Sequence, residues 1–322
     1  MPIPTLVTII IPTYNRADKI ATAVESALAQ TYQPIQLIVI DDGSTDHTKA
    51  IISNYPEVEY YYKQNGGQAS ARNLGLNFAK GSIIASLDSD DEWYPDYLKQ
   101  NVGKLEADQL DFVFANWDQE NTKGQFVDYL SNEVVLKELN EKAINNWVNL
   151  DYEELRWLYV NDCPSPSSSV VMRKDSIVSG WDERMNIGDD WCLYLDMILS
   201  KRTTAAYTLK KLWRKGVDHS NIFDGRKHNE VLEYLYIADI RTKMEKFGVL
   251  LKPTELLVWQ KLYMRSLIEL SKYNLFRTFQ IKKAFNLLAQ SFKMNTLYTI
   301  KKIPVIYGLS MIWALKDKII RK

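Results

Sequence analysis

The 322 residues are 46% hydrophobic and 25% charged, ordinary values for a folded protein, with room for one large α/β domain and a smaller appendage. Forty basic residues balance forty acids, but unevenly: residues 1–225 hold 33 acids and 21 bases, and residues 226–322 hold 7 and 19. An acidic front excludes a general nucleic-acid surface, whereas a basic, aromatic tail can meet anionic lipid.

The first hundred residues alternate between apolar runs and helical patterns. Leu6–Pro12 reads as a buried strand, Ala17–Gln30 as a helix with Ile20, Val24, Ala27 and Leu28 on one face, and Ile35–Asp41 as a second buried strand. A helix over Asp46–Asn54, a Tyr-rich strand over Val58–Lys63, a helix over Gln68–Lys80 and a strand over Ser82–Asp88 follow. Continuous apolar strands separated by helices predict an α/β fold with a mostly parallel sheet covered on both faces. Further on, Phe112–Trp117 and Ser169–Arg173 read as strands, the second preceded by a Pro/Ser loop at Cys163–Ser168, and a helix is expected from Asp190 to about Ser200. Beyond residue 225 the periodicity of 229–247 and 254–272 is helical, which places a domain boundary near 225. Two cysteines, Cys163 and Cys192, without a CxxC pair, offer neither a disulfide framework nor a zinc site and fit a reducing cytoplasm. The N-terminus lacks the basic region of a signal peptide, and no apolar run reaches the length of a spanning helix.

In parallel sheets ligands bind beyond the carboxyl ends of the strands, and the polar motifs sit there. Pro12-Thr13-Tyr14-Asn15-Arg16 closes the first strand, Asp41-Asp42-Gly43-Ser44-Thr45-Asp46 the second, and Asp88-Ser89-Asp90-Asp91 the fourth. Each motif also has a plain reading as a strand exit or helix cap. Together they predict one crevice. Two acids one residue apart, Asp88 and Asp90, suit a nucleotide diphosphate carried with Mg²⁺ or Mn²⁺, because such ions take one or two carboxylates and complete their shell with phosphate oxygens. A carboxylate at the Asp41–Asp42 edge can accept the imide N–H of uracil, and Thr13 with nearby backbone amides can hold the base. Asn65–Asn73 is a Gly-rich loop entering a helix. It lacks GK[ST] and GxGxxG, so it is no P-loop. Its Arg72 is either a surface arginine or the charge partner of a diphosphate.

These spacings resemble the family-2 inverting glycosyltransferases of the GT-A fold over about residues 5–225, on the strength of Pro12–Arg16, Asp41–Asp46, Asn65–Asn73 and Asp88–Asp91. The resemblance implies a GT-A-like sheet and a UDP-sugar donor. It implies that Asp41 reads the uracil, Arg72 helps fix the nucleotide, Asp88 faces the ribose and Asp90 binds the metal. Pro12, Thr13, Asn15, Arg16, Asp42, Gly67 and Ser89 stand beside them as nucleotide-binding candidates. Gly180-Trp181-Asp182-Glu183 followed by Gly188-Asp189-Asp190-Trp191-Cys192-Leu193 resembles the family's late segment, in which the Asp before the aromatic residue is the catalytic base. That role falls on Asp190, with Asp189 standing where the family commonly has Glu. Trp213-Arg214 and His219 resemble the Arg and His beside the diphosphate. His219 reads equally as a metal or phosphate ligand and as a loop histidine.

The expected reaction is a direct displacement in which a carboxylate takes the acceptor hydroxyl's proton. Rival readings are a sugar nucleotidyltransferase, whose GxGxR-type loop PTYNR does not match, and a non-catalytic nucleotide-sugar-binding protein, whose signature would be loss of Asp90 or Asp190. At the tail, Ile303–Leu315 is a 13-residue apolar run with basic flanks, too short to span. It suits an interfacial helix or a packed core helix. The interfacial reading predicts peripheral contact of residues 301–322 with the inner face of a membrane, and an acceptor that is a glycan or lipid-linked glycan of the cell envelope.

Overall fold

A computed structural model describes residues 4–120, 124–216 and 225–320, with side chains through Gly308. The chain divides into two compact units. The first is Met1–Glu183 with Asp189–Asp218, and the second is Arg184–Gly188 with His219–Lys322.

The first unit is built on one sheet. Its strands are β1 (Val7–Thr13), β2 (Ile35–Asp41), β3 (Val58–Tyr62), β4 (Ile83–Ser86), β5 (Glu92–Trp93), β6 (Phe112–Glu120), β7 (Phe126–Asp128), β8 (Trp147–Leu150), β9 (Val170–Arg173) and β10 (Ala205–Lys215). The spatial order is β3-β2-β1-β4-β9-β6-β10-β5, with β7 on β6 and β8 on β10. Strands β3, β2, β1 and β4 are parallel, as are β6 and β10. Strand β9 runs antiparallel between β4 and β6. The helices are α1 (Ile20–Leu28), α2 (Thr48–Ile52), α3 (Gln68–Phe78), α4 (Tyr97–Ala107), α5 (Lys137–Asn140), α6 (Tyr152–Asn161) and α7 (Asp189–Ser200). Ile9, Ile10 and Ile11 are all fully buried although they alternate between faces of β1, as expected of a strand covered on both sides. Gly75 of α3 permits part of that cover, since a Cβ there would lie 2.5 Å from Ile10 Cγ2. The mostly parallel α/β sheet expected from the apolar runs is therefore present, with an antiparallel strand inserted at its centre.

The second unit is helical. Helix α8 (His228–Val231), a π-helical stretch Leu232–Asp239 and α9 (Ile240–Phe247) run on without a break, followed by α10 (Pro253–Phe276), α11 (Ile281–Met294) and α12 (Thr296–Ile320). Asp239, at the end of the π-helical stretch and fully buried, accepts hydrogen bonds from the backbone N–H groups of Asn186, Ile187 and Gly188 and from Asn186 Nδ2, all at 2.8–2.9 Å. This carboxylate explains why the five-residue loop Arg184–Gly188 groups with the helices. Among the described residues no helix is long and apolar enough to cross a membrane.

Candidate active site

The register of β1 on β2 sets Thr13 directly beside Asp41, and the two polar segments that follow are stitched together. Asn15 adopts a left-handed backbone, φ +50°, which asparagine tolerates better than most side chains. Its N–H donates to Ser44 Oγ at 2.8 Å, and its Oδ1 accepts from the Thr45 N–H at 2.8 Å. The Arg16 N–H donates to Thr48 Oγ1. Asp41 is buried and accepts from the Ser44 N–H and the Tyr60 hydroxyl, each at 2.7 Å. Burial, and then the Asp41 charge, hold the Tyr60 phenol well above its usual range. Thr13 is also buried, and its Oγ1 has no hydrogen-bond partner among the described residues. An orphaned hydroxyl beside a carboxylate at the end of a parallel strand is a group awaiting a ligand or water.

Asp42 is the peg of the glycine-rich loop. Its carboxylate takes the Lys63 ammonium at 2.6 Å and the N–H groups of Gly66 and Gly67 at 2.9 and 2.7 Å. Gly67 has φ +90° and turns the chain into α3 with a conformation that other residues resist.

Arg72 is not a surface arginine. It lies on the inward face of α3 with Ala69, Ala71 and Gly75, and its side chain is 1% exposed. Its guanidinium donates to Asp88 Oδ1 at 2.5 Å, Asp189 Oδ2 at 2.8 Å and Ser86 Oγ at 3.2 Å, and lies 3.6 Å from Asp190 Oδ1. The planar fork of arginine suits this multiple role. Burial works against its charge, but Asp190, Asp88 and Asp189 outweigh it and hold the guanidinium firmly protonated. Arg72 thus joins the acids of the fourth strand end to a pair about a hundred residues later in the chain.

That pair is unequal. The Asp189 side chain is 2% exposed, against 19% for Asp190. Asp189 also accepts from Gln68 Nε2 at 2.6 Å. Burial, and next the Asp190 charge, push Asp189 up to about 7, against the pull of Arg72 and Gln68. Asp190 accepts from the Ser167 N–H at 3.1 Å, the Ser167 hydroxyl and Trp181 Nε1 at 3.2 Å. Trp181 is held in turn by Asn73, whose Oδ1 accepts from the Trp181 N–H and whose Nδ2 donates to the Trp181 carbonyl.

At the fourth strand end Asp90 lies 3.7 Å from Arg16, which brings the first and third polar segments together. Burial and then Asp88 raise Asp90 above the usual carboxylate range, with Arg16 and Lys19 opposing. Ser89 is buried. Asp91 is fully buried and raised further, by burial and then by Asp88 and Asp90. It accepts from the Ser168 hydroxyl and the Gly216 N–H. The Asp88 N–H donates to the same Ser168 Oγ. A Cβ on Gly216 would fall 2.0 Å from the Asp90 carbonyl oxygen, so only glycine fits there. Arg214 is half exposed, paired with Glu92 at 3.2 Å and stacked 5.1 Å from the Phe126 ring. His219 lies outside the described residues. Among the described residues no three His, Cys, Asp or Glu side chains gather into a ready metal cage. Gln68, Ser167, Ser168 and Trp181 lay within segments singled out in the sequence but were given no role of their own, and Gly216 was not singled out. The Pro164-Ser165-Pro166-Ser167-Ser168 spacing was the available signal for two of them.

Comparison with known proteins adds a family to this geometry. The model of the family described as glycosyl transferase family 2 matches residues 8–177, more than half of the chain. The chain belongs to that family. This family-2 chain is 42% identical over 115 residues to the Escherichia coli UDP-Glc:alpha-D-GlcNAc-diphosphoundecaprenol beta-1,3-glucosyltransferase WfaP, covering 35% of this chain and 46% of WfaP. It is 28% identical over 227 residues to a protein of Rickettsia typhi described as a glycosyltransferase, covering 70% of this chain and 64% of that one. Against a Rickettsia felis relative, 38% identical over 127 residues, it spans about a fifth of the relative's length, 21%. Among solved structures it resembles Staphylococcus aureus TarS 1–349 in complex with UDP-GlcNAc, with a TM-score of 0.64 at 16% identity over 94% of this chain and 89% of that one. It also resembles the Pyrobaculum calidifontis mannosyltransferase PcManGT in complex with GDP-Man and Mn²⁺, with a TM-score of 0.56 at 16% identity over 96% and 81%. The fold is that of the GT-A glycosyltransferases, as the strand-end motifs implied.

Proposed function

We propose that this chain transfers a sugar from a nucleotide diphosphate, a UDP-sugar, to a hydroxyl of a glycan or lipid-linked glycan, in one inverting displacement. The observation that carries the reading is the buried guanidinium of Arg72, which contacts Asp88 at the nucleotide end and lies 3.6 Å from Asp190. A displacement needs a donor site and a base at fixed separation, and one rigid group spanning both supplies it. The complex of TarS with UDP-GlcNAc and the activity of WfaP support the choice of a UDP-sugar and of a lipid-linked acceptor.

In this reading the Asp41 edge and the orphaned Thr13 hydroxyl take the base, and Asp88 faces the ribose. Asp190 accepts the proton of the attacking hydroxyl. Of the acid pair it is the one a substrate can reach, and Ser167 and Trp181 hold its carboxylate in place. Asp189, buried against Arg72, orients its neighbour. Asp90 fits a divalent ion, since it offers a hard oxygen donor in a site where burial and Asp88 disfavour an uncompensated negative charge. Asp90 would hold Mn²⁺ or Mg²⁺, which would supply positive charge to offset that of a departing diphosphate.

The test is UDP release from a panel of UDP-sugars, with Mn²⁺ and with EDTA. Asp190→Asn is expected to bind donor as the wild type does and to turn over at least ~100-fold more slowly. Asp90→Ala is expected to lose metal-dependent nucleotide binding. Normal turnover by Asp190→Asn would remove the base assignment, and undiminished transfer in EDTA would remove the metal. Failure of every nucleotide sugar to bind would remove the whole reading.

A further inference from the structure

The helical unit carries a surface that the transfer reaction does not use. Between Glu269 and Asp317 the sequence contains no acidic residue, while Lys272, Arg277, Lys282, Lys283, Lys293, Lys301 and Lys302 all fall in that interval. Helix α11 has two adjoining apolar stripes. Ala284, Leu287 and Ser291 are buried, which accounts for its packing in the bundle. Ile281 and Phe285, four residues apart and so on one face, are 56% and 61% exposed. Phe279, just before the helix, is 76% exposed, and on α12 Leu297, Ile300 and Val305 are 72%, 54% and 60% exposed. Scattered exposed apolar residues are ordinary. Seven large ones, counting Met294 at 40%, within 27 consecutive positions of an acid-free, lysine-rich segment are not.

We propose that α11 and the first half of α12 form an interfacial surface that seats on an anionic lipid bilayer. The charge pattern selects this occupant. A second copy of the chain would meet the surface through a self-complementary contact, which would set Lys282, Lys293 and Lys301 against their own copies, while Glu233, the acid beside α11, is already paired with Lys283 at 2.8 Å. A bilayer carrying negative headgroups answers both features at once. Its acyl region receives Phe279, Ile281, Phe285, Leu297, Ile300 and Val305, and its headgroups neutralise Lys282, Lys293 and Lys301, all exposed. Long lysine stems reach the headgroup plane while their neighbours insert. The surface thus begins some twenty residues earlier than the apolar run Ile303–Leu315 suggests. Side chains beyond Gly308 lie outside those described. The proposal concerns where the protein sits and is independent of the reaction it performs.

The test is co-sedimentation of the full chain with phosphatidylcholine vesicles that contain or lack phosphatidylglycerol, at low and high salt. Wild type is expected to bind the anionic vesicles at least tenfold more tightly and to leave them as salt is raised. Phe285→Glu/Leu297→Glu, two substitutions at exposed positions, is expected to lower the bound fraction at least tenfold. Lys282→Gln/Lys293→Gln/Lys301→Gln, which leaves the apolar side chains intact, is expected to lower binding at low salt and to blunt the salt response. Equal binding to neutral vesicles, no binding to either, or variants that bind like wild type would overturn the proposal. So would a wild-type dimer that the apolar variant dissociates without change in vesicle binding.

Discussion

Replacing Arg72 by Met is the sharpest probe of the site, because nearly the same volume is kept while one buried charge goes. Two unit charges about 4 Å apart attract by about 4 kcal/mol at an effective dielectric of about 20. Asp189, whose side chain is 2% exposed and 2.8 Å from the guanidinium, feels nearly all of that. Asp88, 34% exposed on its side chain, would be left less stranded, because water reaches it. Removing one partner of a buried pair costs about 3–5 kcal/mol, since the other is left uncompensated. For a unit of this size that is a fall in Tm on the order of 10 °C. The deficit should be larger near pH 8 than near pH 5.5, because the orphaned Asp189 escapes part of the cost by protonating. Adding Asp189→Asn should restore about half of the loss, since no buried charge then lacks a partner. Thermal denaturation of the three variants at both pH values measures all of this. A loss under about 1 kcal/mol, or a double variant no better than Arg72→Met, would show that the guanidinium is not the electrostatic centre of the site.

Two further outcomes follow from the same geometry. Burial and Asp190 push Asp189 up to about 7, above the usual carboxylate value of about 4. The folded chain therefore keeps a proton that the unfolded chain has lost. The stability this contributes is complete below about pH 4 and is lost as pH rises through about 7. Asp189 sheds that proton over the same upper range, so turnover should rise with pH through about 7, and Asp189→Asn should flatten that limb. A wild-type pH–rate profile that is level from about pH 5.5 to 8.5 would contradict it. Gly216→Ala places a methyl group 2.0 Å from the Asp90 carbonyl oxygen. It should weaken Mn²⁺-dependent nucleotide binding more than tenfold while leaving the far strands intact, as titration followed by tryptophan fluorescence would show. Unchanged affinity would mean that the close approach has no part in setting Asp90.

Much of the strand-end cluster was legible in the order of residues. Apolar runs ending in PTYNR, DDGSTD and DSDD announce strands of a parallel sheet whose polar ends face one side, because residue spacing along a strand decides what emerges at its end. The antiparallel course of β9 was not legible. Val170–Arg173 would have the same apolar pattern in either direction, and only its neighbours β4 and β6 choose. Arg72 shows the same limit. In a helix its inward face follows from Ala69, Ala71 and Gly75, but what waits there does not, because Asp189 lies 117 residues away. Ser167 and Ser168 read as loop residues until the fold sets one on Asp190 and the other between Asp88 and Asp91.

By itself, then, the sequence determined the α/β alternation, the three acidic or polar strand ends and the basic tail with its acid-free interval between Glu269 and Asp317. These are local properties, set by periodicity and composition. The tertiary structure decided which acid of the Asp189–Asp190 pair is exposed, that one arginine joins that pair to Asp88, and that Gly216 must be glycine. Each of these depends on burial and on contacts between distant segments, and burial is what turns an ordinary carboxylate or guanidinium into a group whose charge has to be matched.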